Sequence, residues 1–150
     1  MSVTELQGVC LCSNISVRAQ PAQQHMSACH CSNCRRWNGG VSLAIGCGDK
    51  VEISGNSLGV YQSSQWAERV FCKNCGTSIA WRLQAGGEYH VNAQLFNESE
   101  SFDFTHQIFI DDKPANYAFV NETQNMTGAE VFAMFAGENQ ADHNSEDSKG

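Results

Sequence analysis

Seven of the eight cysteines in this 150-residue chain stand in three short groups. These are Cys10-x-Cys12, Cys29-x-Cys31-x-x-Cys34 and Cys72-x-x-Cys75. No other feature restricts the fold as strongly. Thiols this close in sequence make a poor disulfide framework and suit a soft metal ion gripped by a tight turn. Two closed four-thiolate zinc sites would need eight ligands. Seven leave one site complete and the other with an open position, which is how a structural zinc differs from a catalytic one. The expectation is two zinc ions per chain.

Phe71-Cys72-Lys73-Asn74-Cys75-Gly76-Thr77 has the form of a zinc knuckle, with Gly76 supplying the backbone dihedral that such a turn needs. One knuckle provides two ligands, and Cys10-x-Cys12 is the other isolated pair. Cys10, Cys12, Cys72 and Cys75 are therefore expected to form a closed structural site. Cys29, Cys31 and Cys34 are left as three ligands with a vacant fourth position, the expected catalytic centre. Zinc with three thiolates has a net charge of about −1, which makes it a poor Lewis acid but a good holder of an incoming thiol. Arg35 and Arg36 follow Cys34 directly and can attract an anionic thiol substrate, while Trp37 can line its pocket. The competing reading makes both zincs structural, the second completed by a histidine. His30 is the nearest, although its side chain should point away from an ion gripped by its neighbours; His25 and His90 are less constrained. Cys47 falls outside the spacing pattern, in an apolar strand, and reads as a small buried hydrophobe.

Around these groups the chain reads as many short strands, which favours a mainly β architecture. Residues 3–19 suggest two strands about a turn, and Met26-Ser27-Ala28 a strand leading to Cys29. Cys34 to Asn38 suggests a helical turn closed by Gly39-Gly40. Val41 to Cys47 and Val51 to Ser54 read as a hairpin about Gly48-Asp49. Strands are also expected over Gly59 to Ser63, Ala67 to Phe71, Ser78 to Leu83, Tyr89 to Leu95 and His106 to Ile110. Thr127, with Glu130 three residues on, has the pattern of a capping box at the start of a short C-terminal helix. The expected organisation is one zinc-binding domain over residues 1–136. Residues 137–150, with four acids and one base, read as an acidic disordered tail.

The formal charge of −7 argues against nucleic acid or an anionic membrane as partner. No apolar run approaches the roughly twenty residues of a membrane span. The opening residues lack a basic and an apolar region of the secretory kind, so the cytoplasm is the expected compartment, where thiols stay reduced.

The motifs Gly8-Val9-Cys10-Leu11-Cys12, Cys29-His30-Cys31-Ser32-Asn33-Cys34-Arg35 and Phe71-Cys72-Lys73-Asn74-Cys75-Gly76-Thr77, in this order, resemble a known family. It is that of the glutathione-dependent formaldehyde-activating enzymes, which also includes centromere protein V. The resemblance covers roughly residues 5 to 120. It implies a β-tent fold, a structural zinc on Cys10, Cys12, Cys72 and Cys75, and a catalytic zinc on Cys29, Cys31 and Cys34. It also implies carbon–sulfur lyase chemistry on a small-molecule thiol and aldehyde, with glutathione as co-substrate and S-(hydroxymethyl)glutathione as the adduct. As a second reading, a family this mixed permits a non-catalytic zinc module that binds a protein partner.

Overall fold

The computed structural model describes residues 5–138. The acidic stretch expected to be disordered lies outside the described residues from position 139 onward. In chain order the elements are β1 (Leu6–Val9), β2 (Ser16–Ala19), β3 (His25–Cys29), α1 (Ser32–Asn38), β4 (Ser42–Gly48), β5 (Val51–Ser54) and β6 (Leu58–Gln62). Then follow β7 (Ala67–Cys72), β8 (Ser78–Leu83), β9 (Tyr89–Asn92), β10 (Asp103–Ile108), β11 (Gln124–Met126) and α2 (Gly128–Glu138). The chain is thus mainly β with a short C-terminal helix. Among the described residues no helix is long and apolar enough to cross a membrane.

Two compact units can be described. The first comprises the described residues up to Met26 together with Leu43–Asp103. It contains an antiparallel sheet in the order β1-β2-β5 and the strand series β4-β9-β8-β7-β6. Period-two alternation builds its core: Leu6 is buried while Gln7 is exposed, and Val17 and Ala19 are buried while Ser16 and Arg18 are exposed. Ile15, Ile45, Val70, Ile79 and Val91 complete a fully buried apolar cluster with Leu6 and Val17. Each such side chain contributes about 1.5–3 kcal/mol on leaving water.

The hairpin expected around Gly48-Asp49 is not formed among the described residues. The turn itself is present, with Gly48 at φ 59° and the Lys50 amide donating to the Cys47 carbonyl at 3.4 Å. Its two arms choose other partners: Ile45 of β4 faces Val91 of β9, and Ile53 of β5 faces Val17 of β2. A local turn signal specifies a reversal of direction but not the neighbour across the ladder. Here β5 pairs its outward Glu52 with Arg18 and packs Val51 and Ile53 on the core cluster. The strand expected to run from Tyr89 to Leu95 ends at Asn92, where the chain tightens into a 3-10 turn over Ala93–Leu95.

The second unit comprises Ser27–Ser42 and the described residues from Phe104 on. Its strands run in the order β11-β10-β3, and β11, which the sequence did not signal, lies parallel to β10 with His106 facing Gln124. Helix α1 ends where Gly39 takes the left-handed conformation at φ 71°. At the start of α2 the capping box is closed. The Thr127 amide donates to Glu130 Oε1 at 2.8 Å, and the Glu130 amide donates to Thr127 Oγ1 at 3.2 Å. Phe109 stands at φ 55°, its ring against Gly128 and edge-on to Phe132 at 5.6 Å.

Candidate metal centres

The first centre is built from two turns far apart in sequence. Between β1 and β2 the Cys10 amide donates to the Ile15 carbonyl and the Ser13 amide to the Cys10 carbonyl, both at 3.0 Å. Between β7 and β8 the Gly76 amide donates to the Cys72 carbonyl at 2.8 Å, with Gly76 at the left-handed φ of 84° that the knuckle requires. These turns bring the sulfurs of Cys10, Cys12, Cys72 and Cys75 within 4.8 Å of one another. Cys12 Sγ is 3.7 Å from both Cys10 Sγ and Cys72 Sγ. A disulfide would hold them at about 2.05 Å, whereas a tetrahedron of sulfurs about 2.3 Å from a central zinc has edges near 3.8 Å. The spacing fits the ion.

Polar donors stand against these sulfurs, and those at Cys72 and Cys75 favour the anionic form. The Ile15 amide donates to Cys10 Sγ at 3.3 Å, and the Ser57 hydroxyl lies 3.3 Å from Cys72 Sγ. Thr77 Oγ1 accepts the Leu11 amide at 3.1 Å, which directs its own proton to Cys75 Sγ at 3.2 Å. Hydrogen bonds from the Thr77 hydroxyl and amide bring the Cys75 thiol down to about 5. The Ser57 hydroxyl lowers that of Cys72. Neither Ser57 nor Thr77 was singled out from sequence, although Thr77 closes the quoted knuckle motif.

The second centre is built from one short stretch. Cys29 ends β3, Cys31 caps the N-terminus of α1, and Cys34 lies in its first turn. Their sulfurs lie within 4.8 Å of one another, and this group has three members among the described residues. The Cys34 amide donates to Cys31 Sγ at 3.4 Å, the role that serine or aspartate fills at other helix starts. Cys31 is buried, and Cys29 and Cys34 are partly exposed. Crowding by the sulfurs of Cys31 and then Cys34 pushes the Cys29 thiol strongly up. Three thiolates this close repel one another, and a metal ion held among them would remove that penalty.

His30, between two of these cysteines, turns its ring away from them. It is fully buried, with Nδ1 at 2.8 Å from the Tyr117 hydroxyl and Nε2 at 2.8 Å from Gln107 Oε1. Burial lowers its pKa, so the ring is neutral at pH 7. Arg35 donates from Nε to the His30 carbonyl at 2.8 Å and from Nη2 to the Asp112 carbonyl at 3.4 Å. Arg36 is exposed and Trp37 half-buried on the same helix. His25 is exposed, and His90 pairs with Glu88 at 3.0 Å and lies edge-on to Trp81. Neither joins a sulfur group. Cys47 is buried, and burial pushes its thiol up to about 12, in keeping with an inert core residue.

The family profile described as glutathione-dependent formaldehyde-activating enzyme matches residues 5–112, which include all seven clustered cysteines. The chain belongs to this family. A relative from Schizosaccharomyces pombe, named an uncharacterized lyase, is 42% identical over 129 residues, spanning 85% of this chain and 94% of its own length. A crystal structure of a Rhodobacter sphaeroides protein shares the fold with a TM-score of 0.53 at 22% identity. It covers 61% of this chain and 88% of that one. Membership in the family agrees with the resemblance carried by the three cysteine motifs.

Proposed function

We propose that the protein is a zinc-dependent carbon–sulfur lyase acting on a thiol–aldehyde adduct, with S-(hydroxymethyl)glutathione, from glutathione and formaldehyde, as the first candidate. One observation carries this reading: one unit holds a complete four-sulfur group, and the other holds a three-sulfur group whose Cys29 and Cys34 are partly exposed. In this reading Cys10, Cys12, Cys72 and Cys75 hold a structural zinc, and Cys29, Cys31 and Cys34 a catalytic one. Bound there, zinc would supply a soft position that keeps a substrate thiol in its thiolate form. The family and the lyase-named relative support this class of chemistry. Free cysteines throughout fit a reducing compartment, the cytoplasm. The zinc-binding domain is taken as residues 1–136.

The chain's own residues organise the reaction. The Cys34 amide on Cys31 Sγ and the Arg35 guanidinium on the His30 carbonyl hold the cysteine turn in one shape. Arg36, exposed beside it, attracts the carboxylates of an anionic thiol, and Trp37 offers an apolar wall. In the synthetic direction the sulfur forms a bond to the aldehyde carbon, and the proton lost by the thiol ends on the new hydroxyl. In the lyase direction that carbon–sulfur bond breaks, the carbonyl re-forms and the thiol leaves with the proton. Cobalt substitution tests the assignment. Millimolar glutathione is expected to change the thiolate–cobalt absorption of the second centre. A response only to another small thiol would replace glutathione as substrate, and no response to any thiol would favour a protein-binding zinc module.

A further inference from the structure

The residue between Cys29 and Cys31 has every polar group engaged. The His30 amide donates to the Ile108 carbonyl at 3.1 Å, and its carbonyl accepts from Arg35 Nε at 2.8 Å. Its ring nitrogens meet Tyr117 and Gln107, each at 2.8 Å. The directions of these bonds follow from the outer partners. Thr123 Oγ1 donates to Asn125 Oδ1 at 2.7 Å and so accepts from Gln107 Nε2 at 2.9 Å. That turns Gln107 Oε1 toward the ring, so His30 carries its proton on Nε2 and Nδ1 accepts the Tyr117 hydroxyl proton. The chain of donors runs one way, from Tyr117 through His30, Gln107 and Thr123 to Asn125. No lone pair of the imidazole is left for a metal.

We infer that His30 is the positioning residue of the three-cysteine centre. Held on four sides, it keeps Cys29 and Cys31 aimed at a common point while its own ring cannot become the fourth ligand. This rests on the reading of Cys29, Cys31 and Cys34 as a metal site. Tyr117 is the outermost anchor, and it is itself held, because Lys113 Nζ donates to the Tyr117 carbonyl and lies 5.1 Å from the Tyr117 ring centre. The loop from Lys113 to Thr123, which has no regular structure, thereby becomes part of the metal site's frame.

Partners that orient metal-binding loops typically alter metal affinity by about 10–100-fold when removed. Tyr117→Phe keeps the ring and deletes only the hydroxyl, and His30→Gln serves as a second variant that keeps a polar amide. The measurement is stepwise cobalt binding against a competing chelator, giving the affinity of each centre in one protein. Both variants are expected to weaken the second centre about tenfold relative to the first, with no added nitrogen ligand in the wild-type cobalt spectrum. A general loss of stability would lower both affinities together, leaving their ratio unchanged, and would overturn the inference. An imidazole ligand in the wild-type spectrum would also overturn it. A wild-type protein that takes up only one metal ion would remove the metal reading and this inference with it, which an unchanged ratio would not.

Discussion

Cys47 and Cys75 show how far burial and hydrogen bonding separate two thiols of one chain. Cys75 is a partly exposed sulfur facing the Thr77 hydroxyl, whereas Cys47 is buried beside Ile45 with its thiol pushed up to about 12. Burial penalises the thiolate of Cys47, so folding holds its proton more tightly than the unfolded chain does. The raised value contributes stability that is fully present below the ordinary thiol pKa near 8.5–9. That contribution is lost as pH rises toward 12. The wild-type protein should therefore lose stability on the order of 2–3 kcal/mol more than Cys47→Ala between pH 8 and pH 11. Denaturant midpoints across that range check it, and parallel curves for the two proteins would refute it. At the same scale, local spacing was enough to mark all seven cysteines of the two sulfur groups. Tyr117 and Gln107 carried no such signal, because they reach His30 from 87 and 77 residues away.

The strand β1 is constrained by a close backbone approach that no propensity reveals. Gly8 bridges to Phe96, and the neighbouring Gln7 carbonyl accepts the Asn97 amide at 2.9 Å. A Cβ at Gly8 would stand 2.3 Å from the Leu95 carbonyl oxygen, so backbone and not a flexible side chain would have to move. Gly8→Ala is expected to destabilise the fold by about 1–3 kcal/mol, the usual range for overpacking. Because Cys10 lies two residues on, the first metal centre should bind cobalt more weakly as well. Urea unfolding and chelator competition measure the two effects, and a wild-type midpoint would show that the 93–97 segment yields freely. Elements whose signals are contained within one turn, such as the Gly39 cap of α1 and the Thr127–Glu130 box of α2, were readable from the residues alone. The arms of the Gly48-Asp49 turn were not, because their partners are β9 and β2.

Across the whole molecule the two centres differ in what they tie together. Cys12 and Cys72 meet across 60 residues, so an ion held there would close a long loop. The unfolded chain loses closure entropy worth on the order of 3–4 kcal/mol for that length. Cys29, Cys31 and Cys34 lie within six residues and close almost nothing. Cys72→Ser should therefore lower the thermal midpoint far more than Cys31→Ser, which should cost one metal ion and leave the fold intact. Calorimetry with elemental analysis checks this, and equal losses would contradict the division of roles. Reading the chain by itself determined the two cysteine groups, the mainly β architecture and the family, because each is written in spacing and period over a few residues. Only the tertiary structure decided which strands pair, why Gly8 must lack a side chain, and where the His30 ring is held. Those depend on contacts across tens of residues, where many partners satisfy the same local pattern and packing and hydrogen-bond geometry select one.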